Sequence, residues 1–319
     1  MRQVFISVVN VINSQRDVKV LREWLSGLYR QLQADFSDFE FVLVNNGAYT
    51  GDIDAVIRQL PEGLRQYVFL LNLSTPVDRN NAMLAALDRS NGDYTVIFEF
   101  DFAGKPQLVT ALWEKSRQEN LDMVYLRARE RKLPWAEKIL YRVFYLILRK
   151  YSGLSIDPRG HHSRVISRRA LNSLLRLREN SHYLKANYAM IGYQTAYIDV
   201  EEPLTSGSEK GLGDQFRTAL LAITSFTDFL RAVLLWVFIF SFFIATAAIF
   251  NAVKVKLTNV DIFGEHQPVL SGWAFLVVLM SSFFAITCLN LYIMSIYLSN
   301  IYAEIKNRPL YIIESVKRF

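Results

Sequence analysis

The chain of 319 residues has one cysteine, Cys288, and only four histidines, which form no Cys/His cluster. An intrachain disulfide is therefore excluded, and nothing points to zinc. There is no internal repeat and no low-complexity tract. The basic residues build no aromatic-interleaved patch of the kind that grips nucleic acid, so a nucleic-acid partner is not expected. Met1 to Ile6 is apolar only in alternation with polar residues and carries no small-residue cleavage site, so no signal peptide is expected. The most telling absence is charge: Ala232 to Val253 contains none, and neither does Val269 to Ala303. Each stretch exceeds the roughly 20 residues that cross a bilayer core, so two transmembrane helices are the economical reading. The alternative, two buried helices of a soluble core, rarely stays uncharged for so long.

The chain is 51% hydrophobic and carries a net charge of +6. Lys306, Arg308, Lys317 and Arg318 follow the second apolar stretch, whereas the loop between the stretches balances Lys254 and Lys256 with Asp261 and Glu265. Basic residues mark the cytoplasmic side, so the pattern predicts a hairpin in the cytoplasmic (inner) membrane with both termini and the soluble part inside. The positive charge then reads as attraction to an anionic leaflet.

The first 125 residues or so alternate strand and helix with short connections. Gln3 to Val11, Phe39 to Val44, Tyr67 to Leu71, Tyr94 to Phe98 and Met123 to Leu126 read as strands. Val18 to Leu32, Asp52 to Leu60 and Arg79 to Arg89 read as helices. That order predicts an α/β fold whose mostly parallel sheet is covered on both faces, with ligands at the carboxyl ends of the strands. Asn13, Asn45, Asn46, Glu99 and Asp101 all fall there. Glu99-Phe100-Asp101 is the sharpest signal, because two carboxylates at a strand exit suit a hard divalent cation, Mg²⁺ or Mn²⁺, held against a diphosphate. The plainer reading is that these acids cap a strand end in solvent.

Farther on, Arg127, Arg129, Arg131 and Lys132 cluster, and Pro134 to Tyr151 reads as a helix. Its apolar stripe of Trp135, Ile139, Leu140, Val143, Phe144 and Ile147 is flanked by Lys138, Arg142, Arg149 and Lys150. Such a stripe suits an interfacial membrane helix or, alternatively, a core-packing one. Gln215 to Phe226 is a second candidate of the same kind, and Glu202 to Asp214 a linker. Four segments result: a core over 1–132, an acceptor-side segment with interfacial helices over 133–228, a transmembrane hairpin over 229–303 and a tail over 304–319.

Several motifs together resemble the membrane-anchored family-two glycosyltransferases that load a sugar onto a polyprenyl phosphate, the bactoprenol glucosyltransferase and dolichol-phosphate mannose synthase group. Tyr302, Glu304, Lys306 and Arg308-Pro309-Leu310-Tyr311 are similar to that group's tail after two membrane helices. Arg79-Asn80, Ala85-Ala86 and Gly92-Asp93-Tyr94 resemble the stretch before the metal motif. Arg164 to Arg169 and the residues Ser225-Phe226 and Leu230-Arg231 fit as well. The resemblance implies a nucleotide-sugar-binding, Rossmann-like domain of the GT-A type and an inverting, metal-dependent transfer to polyprenyl (undecaprenyl) phosphate. It implies a donor site at Asn13, Asn45, Asn46, Gly47, Arg79 and Glu99, with metal at Glu99 and Asp101 and catalysis by Asp101 and His162. Arg127, Arg129, Arg131 and Arg164 become candidates for the acceptor phosphate, because guanidinium grips phosphate bidentately; plain surface contact is the alternative for each.

The chain departs from the group where chemistry is expected. Asn45-Asn46-Gly47 stands where the group has Asp-Asp-Gly, Glu99 where it has Asp, and His162 where it has an acidic residue. Either His161 and His162 act on phosphate or they are structural. A catalytically weakened, membrane-bound partner of other glycan enzymes is the competing function. A processive polysaccharide synthase is disfavoured, since no Gln-x-x-Arg-Trp occurs and only two spans are expected. The tail beyond Tyr311 suggests packing against a neighbouring subunit in a homo-oligomer.

Overall fold

A computed structural model describes residues 2–47, 50–129, 135–154, 156–177, 183–203, 219–220, 223, 226–227, 229–260, 264, 272–306 and 309–319. Eight strands form one mixed sheet: β1 (Arg2–Ile12), β2 (Phe36–Asn45), β3 (Val68–Leu73), β4 (Tyr94–Ile97), β5 (Met123–Ala128), β6 (Gly160–Ser167), β7 (Thr195–Val200) and β8 (Ile313–Arg318). Their spatial order is β7-β5-β6-β4-β1-β2-β3-β8. The centre, β4-β1-β2-β3, is parallel. β6 runs antiparallel between β4 and β5, and β8 runs antiparallel to β3.

The helices follow from the same alternation: α1 (Gln15–Asp35), α2 (Thr50–Arg58), α3 (Glu62–Arg65), α4 (Arg79–Arg89), α5 (Gln107–Gln118), α6 (Trp135–Tyr151), α7 (Arg168–Arg176), α8 (Leu184–Met190), α9 (Phe229–Thr258) and α10 (Gly272–Ile305). β1 is buried on both sides from Ile6 to Ile12, which is why its sequence is a nearly unbroken apolar run. On one face, Val18, Leu21, Trp24, Leu25, Leu28 and Leu32 of α1 pack with Ile6, Val8, Phe41 and Phe98. On the other, α4, α7 and α8 pack against Val9, Val11, Val42 and Ile97.

Two local devices aim the chain at the carboxyl edge. The Asp17 carboxylate accepts from the backbone N–H groups of Asn13 and Ser14, which fixes the exit of β1 and the start of α1. Gly92 precedes β4 where a Cβ would lie 2.6 Å from the Ser7 nitrogen, so only glycine fits that turn.

Boundaries expected from the sequence hold to within a few residues through β5. β6, β7 and β8 do not follow from its pattern, and they join the same sheet as the first 132 residues. The tail strand β8 lies on its own domain, where Leu310 and Tyr311 pack on the second core and the Tyr311 hydroxyl donates to Asp88. The helix expected at Gln215 to Phe226 and the linker from 204 onward lie largely outside the described residues.

α6 buries Phe144 and Leu148 but leaves Ile139, Val143 and Leu146 about half exposed in one stripe. α9 and α10 contact each other and are long and apolar enough to cross a membrane. A core helix of a soluble protein would be buried, yet the apolar window of α9 is 0% buried and that of α10 6%. Trp236, Phe238, Phe240, Phe242 and Phe243 stand exposed in sequence on α9, far more apolar surface than water tolerates on a soluble domain.

Candidate active site

The site is assembled where β1, β2 and β4 end and β6 begins. β4 leads through Phe98 to Glu99, and a single 3₁₀ turn, Phe100–Phe102, swings Asp101 outward. Antiparallel β6 enters beside it, with Arg164 opposite Ile97, so His161, His162 and Ser163 arrive next to Glu99. The two histidines thus belong to the opening of a strand.

Glu99 is 6% exposed and held from several sides. Its Oε1 accepts from Arg79 Nη2 at 3.3 Å. Its Oε2 accepts from the His162 backbone N–H at 3.1 Å and from the Ser163 hydroxyl at 3.5 Å, and His161 Nδ1 lies 3.9 Å away. Its own N–H donates to Ser163 Oγ at 2.9 Å. Burial opposes the charge on Glu99, but His162, Arg79, His161 and Lys185 outweigh that and bring its pKa down to about 2. Burial, then Lys185, pushes His162 down to about 3, so its imidazole is neutral at physiological pH. Burial likewise lowers His161, whose ring meets Phe102 edge-on at 5.0 Å.

Asp101 is exposed, and partial desolvation followed by the Glu99 charge raises its pKa. Arg79 and Arg16 act on it in the opposite direction. A carboxylate whose charge is disfavoured by another carboxylate is one that a cation would relieve. Among the described residues, no three His, Cys, Asp or Glu side chains group as a metal cage.

The amides at the ends of β1 and β2 are tied to protein. Asn46 Nδ2 donates to Asn13 Oδ1 at 2.8 Å and to the Val77 carbonyl at 2.9 Å, while Asn46 Oδ1 accepts from the Val77 N–H at 2.8 Å. Asn45 Nδ2 donates to Asn72 Oδ1 at 3.0 Å. Gly47 has φ of +105°, the left-handed turn that ends β2 cleanly.

Of the arginines proposed for phosphate, Arg127 makes a bidentate pair with Asp199 and lies over the Tyr197 ring at 3.4 Å. Arg129 is exposed and 3.7 Å from Glu201. Arg164 is 7% exposed, donates to the His161 and His162 carbonyls and covers the Tyr188 ring at 3.7 Å, a geometry that braces β6 against α8. Arg131 lies outside the described residues. The sequence reading overlooked Ser163, Arg16, Lys185 and Tyr188. Ser163 sat in plain view beside Arg164, but only the register of β6 brings it to Glu99. Lys185, whose ammonium donates to the Gly160 carbonyl at 2.6 Å, stands on a short helix with no strong pattern.

Comparison with known proteins finds glycosyltransferases along most of the chain. A protein described as an uncharacterized glycosyltransferase from Synechocystis sp. is 25% identical over 286 residues, 87% of this chain and 85% of its own length. The SfII prophage-derived bactoprenol glucosyl transferase of Shigella flexneri is 26% identical, covering 88% of this chain and 89% of its own. An undecaprenyl-phosphate 4-deoxy-4-formamido-L-arabinose transferase of Photorhabdus laumondii is 22% identical, over 97% and 93%. Residues 4–175, more than half of the 319, match the family described as glycosyl transferase family 2, and this chain belongs to that family.

Proposed function

We propose that the protein transfers a sugar, with inversion, from a nucleotide-sugar donor to a polyprenyl phosphate such as undecaprenyl phosphate at the cytoplasmic face of the membrane. The observation that carries this is one carboxylate, Asp101, standing exposed beside a charge-balanced cluster in a chain anchored by two apolar helices. The two relatives named for bactoprenol and undecaprenyl phosphate support the acceptor class. β8 supports a two-crossing topology: the chain leaves the domain into α9 and returns after α10 to pair with β3. That pairing favours both ends of the hairpin on one side, and the basic residues near the tail favour the cytoplasm for it. The exposed stripe of α6, flanked by Lys138, Arg142, Arg149 and Lys150, then lies in the headgroup layer.

The donor diphosphate meets Asp101, Arg79 and Arg16. Asp101 fits a divalent cation of the Mg²⁺ or Mn²⁺ kind, which takes one or two carboxylates and completes its shell with phosphate oxygens and water. Such a cation supplies charge neutralisation of the leaving nucleoside diphosphate. Glu99 fits that role less well, because both its oxygens already accept from Arg79, His162 and Ser163; we assign it to holding Arg79 and the start of β6. The acceptor phosphate is anionic at neutral pH and attacks without a strong base, so a neutral His162 suffices as a hydrogen-bonding neighbour. Arg129, the exposed member of the acceptor arginines, remains the candidate for the lipid phosphate among the described residues.

A second reading, a weakened paralogue serving as a partner of other enzymes, draws on the protein-tied amides of Asn45 and Asn46. One experiment separates the two. Purified full-length protein in undecaprenyl phosphate vesicles, given Mg²⁺ or Mn²⁺ and a panel of sugar nucleotides, should form a glycolipid with at least one donor. No product together with no nucleotide binding would leave the partner reading standing.

A further inference from the structure

The strand that follows the second apolar helix reaches the donor edge through an unbroken row of side chains. Asn45 of β2 pairs in register with Asn72 of β3, and Asn72 with Ser315 of β8. Side chains of residues directly opposite each other meet on one face of a sheet. Here they do so by hydrogen bonds: Asn45 Nδ2 donates to Asn72 Oδ1 at 3.0 Å, and Asn72 Nδ2 donates to Ser315 Oγ at 3.0 Å. Asn45 and Asn72 are 5% and 4% exposed, so these amides need such partners.

Two further contacts make β8 part of the same edge. The Ser74 N–H donates to the Ile312 carbonyl at 3.0 Å, which holds the loop from Ser74 to Asp78 against the tail. That loop is the one Asn46 grips at Val77, and it caps α4, whose first residue is Arg79. Lys317 fastens the strand to Asp54 of α2 at 2.5 Å, away from the row.

We propose that Asn72 and Ser315 are positioning residues for the donor: they fix the amide of Asn45 at the end of β2, so the segment returning from the membrane sets the affinity of the nucleotide site. This rests on reading that edge as the donor site. Removing a buried hydrogen-bond partner should weaken donor binding by roughly 5- to 10-fold. In the full-length protein, Asn72→Ala and Ser315→Ala should each raise the donor KM by about that factor with kcat held, and the double variant should be no worse than Asn72→Ala alone. Ser315→Thr keeps the hydroxyl and should restore binding. Lys317→Ala loosens the strand without touching the row and should leave affinity unchanged.

Binding of UDP, GDP and dTDP in the presence of Mn²⁺ supplies the second readout. A wild-type protein that binds none of them overturns the donor reading and the inference with it. Wild-type binding with unaltered Asn72→Ala and Ser315→Ala variants overturns the inference alone, as does a Lys317→Ala loss equal to that of Ser315→Ala.

Discussion

The two halves of the carboxyl edge are built from opposite materials. At the ends of β1, β2 and β3 the polar groups are neutral amides that bind one another and the backbone: Asn13 with Asn46, Asn46 with Val77, Asn45 with Asn72. At the end of β4 and the start of β6 the groups are titratable, with the Glu99 carboxylate among the charges of Arg79 and Lys185 and two histidines held neutral by burial. Neutral hydrogen bonds fix geometry and are indifferent to pH and salt. A buried carboxylate fixes geometry only while its cations balance it, and it makes this half responsive to protons. Under the proposed function, the division sets a shelf of neutral amides for the nucleotide beside a charged centre for the transfer.

The sharpest way to break this comparison is at Asp101. Asp101→Asn should lower kcat by roughly 10³-fold, the scale of losing electrostatic stabilisation of a leaving group, with an unchanged melting temperature because the side chain is exposed. A parallel loss of folding would move Asp101 into the structural half.

Glu99→Gln comes next. It preserves shape and removes the buried negative charge, leaving Arg79 and Lys185 unbalanced. Stability should fall by about 1–3 kcal/mol, seen as a lower melting temperature in detergent, and activity should fall with it. Asn46→Asp carries the comparison to the other half. Aspartate restores the residue type that the resembling enzymes have, yet it cannot donate to Asn13 Oδ1 or to the Val77 carbonyl. The expected outcome is a loss of about 1–3 kcal/mol from unpaired acceptors, and a gain of donor affinity in that variant would show that the amide shelf has been misread.

The pH response of this cluster follows from three depressed pKa values of the same sign, those of His161, His162 and Glu99. His162 sits at about 3 against an ordinary 6.5, so below 6.5 the unfolded chain takes up the proton first and stability falls. Glu99 sits at about 2 against 4.5, so its contribution is present above 4.5 and is lost as pH falls toward 2. Melting temperature should therefore decline from pH 6.5 downward and more steeply below 4.5. His162→Asn should make the first part of that curve shallower, with His161 supplying what remains, and should also soften the second part because the His162 charge helps to lower Glu99. The smallest effect belongs to Arg127→Ala: its pair with Asp199 lies at the exposed margin, and turnover should change less than about 3-fold.

Much of the parallel half was legible in the sequence because buried parallel strands are nearly continuous apolar runs, and because Asn45-Asn46-Gly47 and Asn91-Gly92 punctuate them. β6 was not, since His161, His162, Ser163 and Arg164 make its first half read as a loop. Only its long-range pairing with β4 and β5 makes it a strand. β8 was hidden for a different reason: its segment, Ile313 to Arg318, is short and largely exposed, and only the edge of β3 gives it a partner. Asp101 could be found from its place after a buried strand. The partners of Glu99 could not, because Ser163 and Lys185 reach it through tertiary register rather than sequence spacing. The acceptor arginines rested on the resemblance and on the affinity of guanidinium for phosphate, neither of which shows their tertiary partners, and the structure engages Arg127 with Asp199 and Arg164 with Tyr188.

The central claim is that the Asp101 carboxylate holds the cation on which transfer depends. Its most direct test is a Mn²⁺ titration of glycolipid formation on undecaprenyl phosphate vesicles, with full-length wild type and Asp101→Asn side by side. The account predicts a saturable Mn²⁺ dependence for wild type and, for the variant, a rate near background at every concentration. Superimposable curves from the two proteins would contradict it.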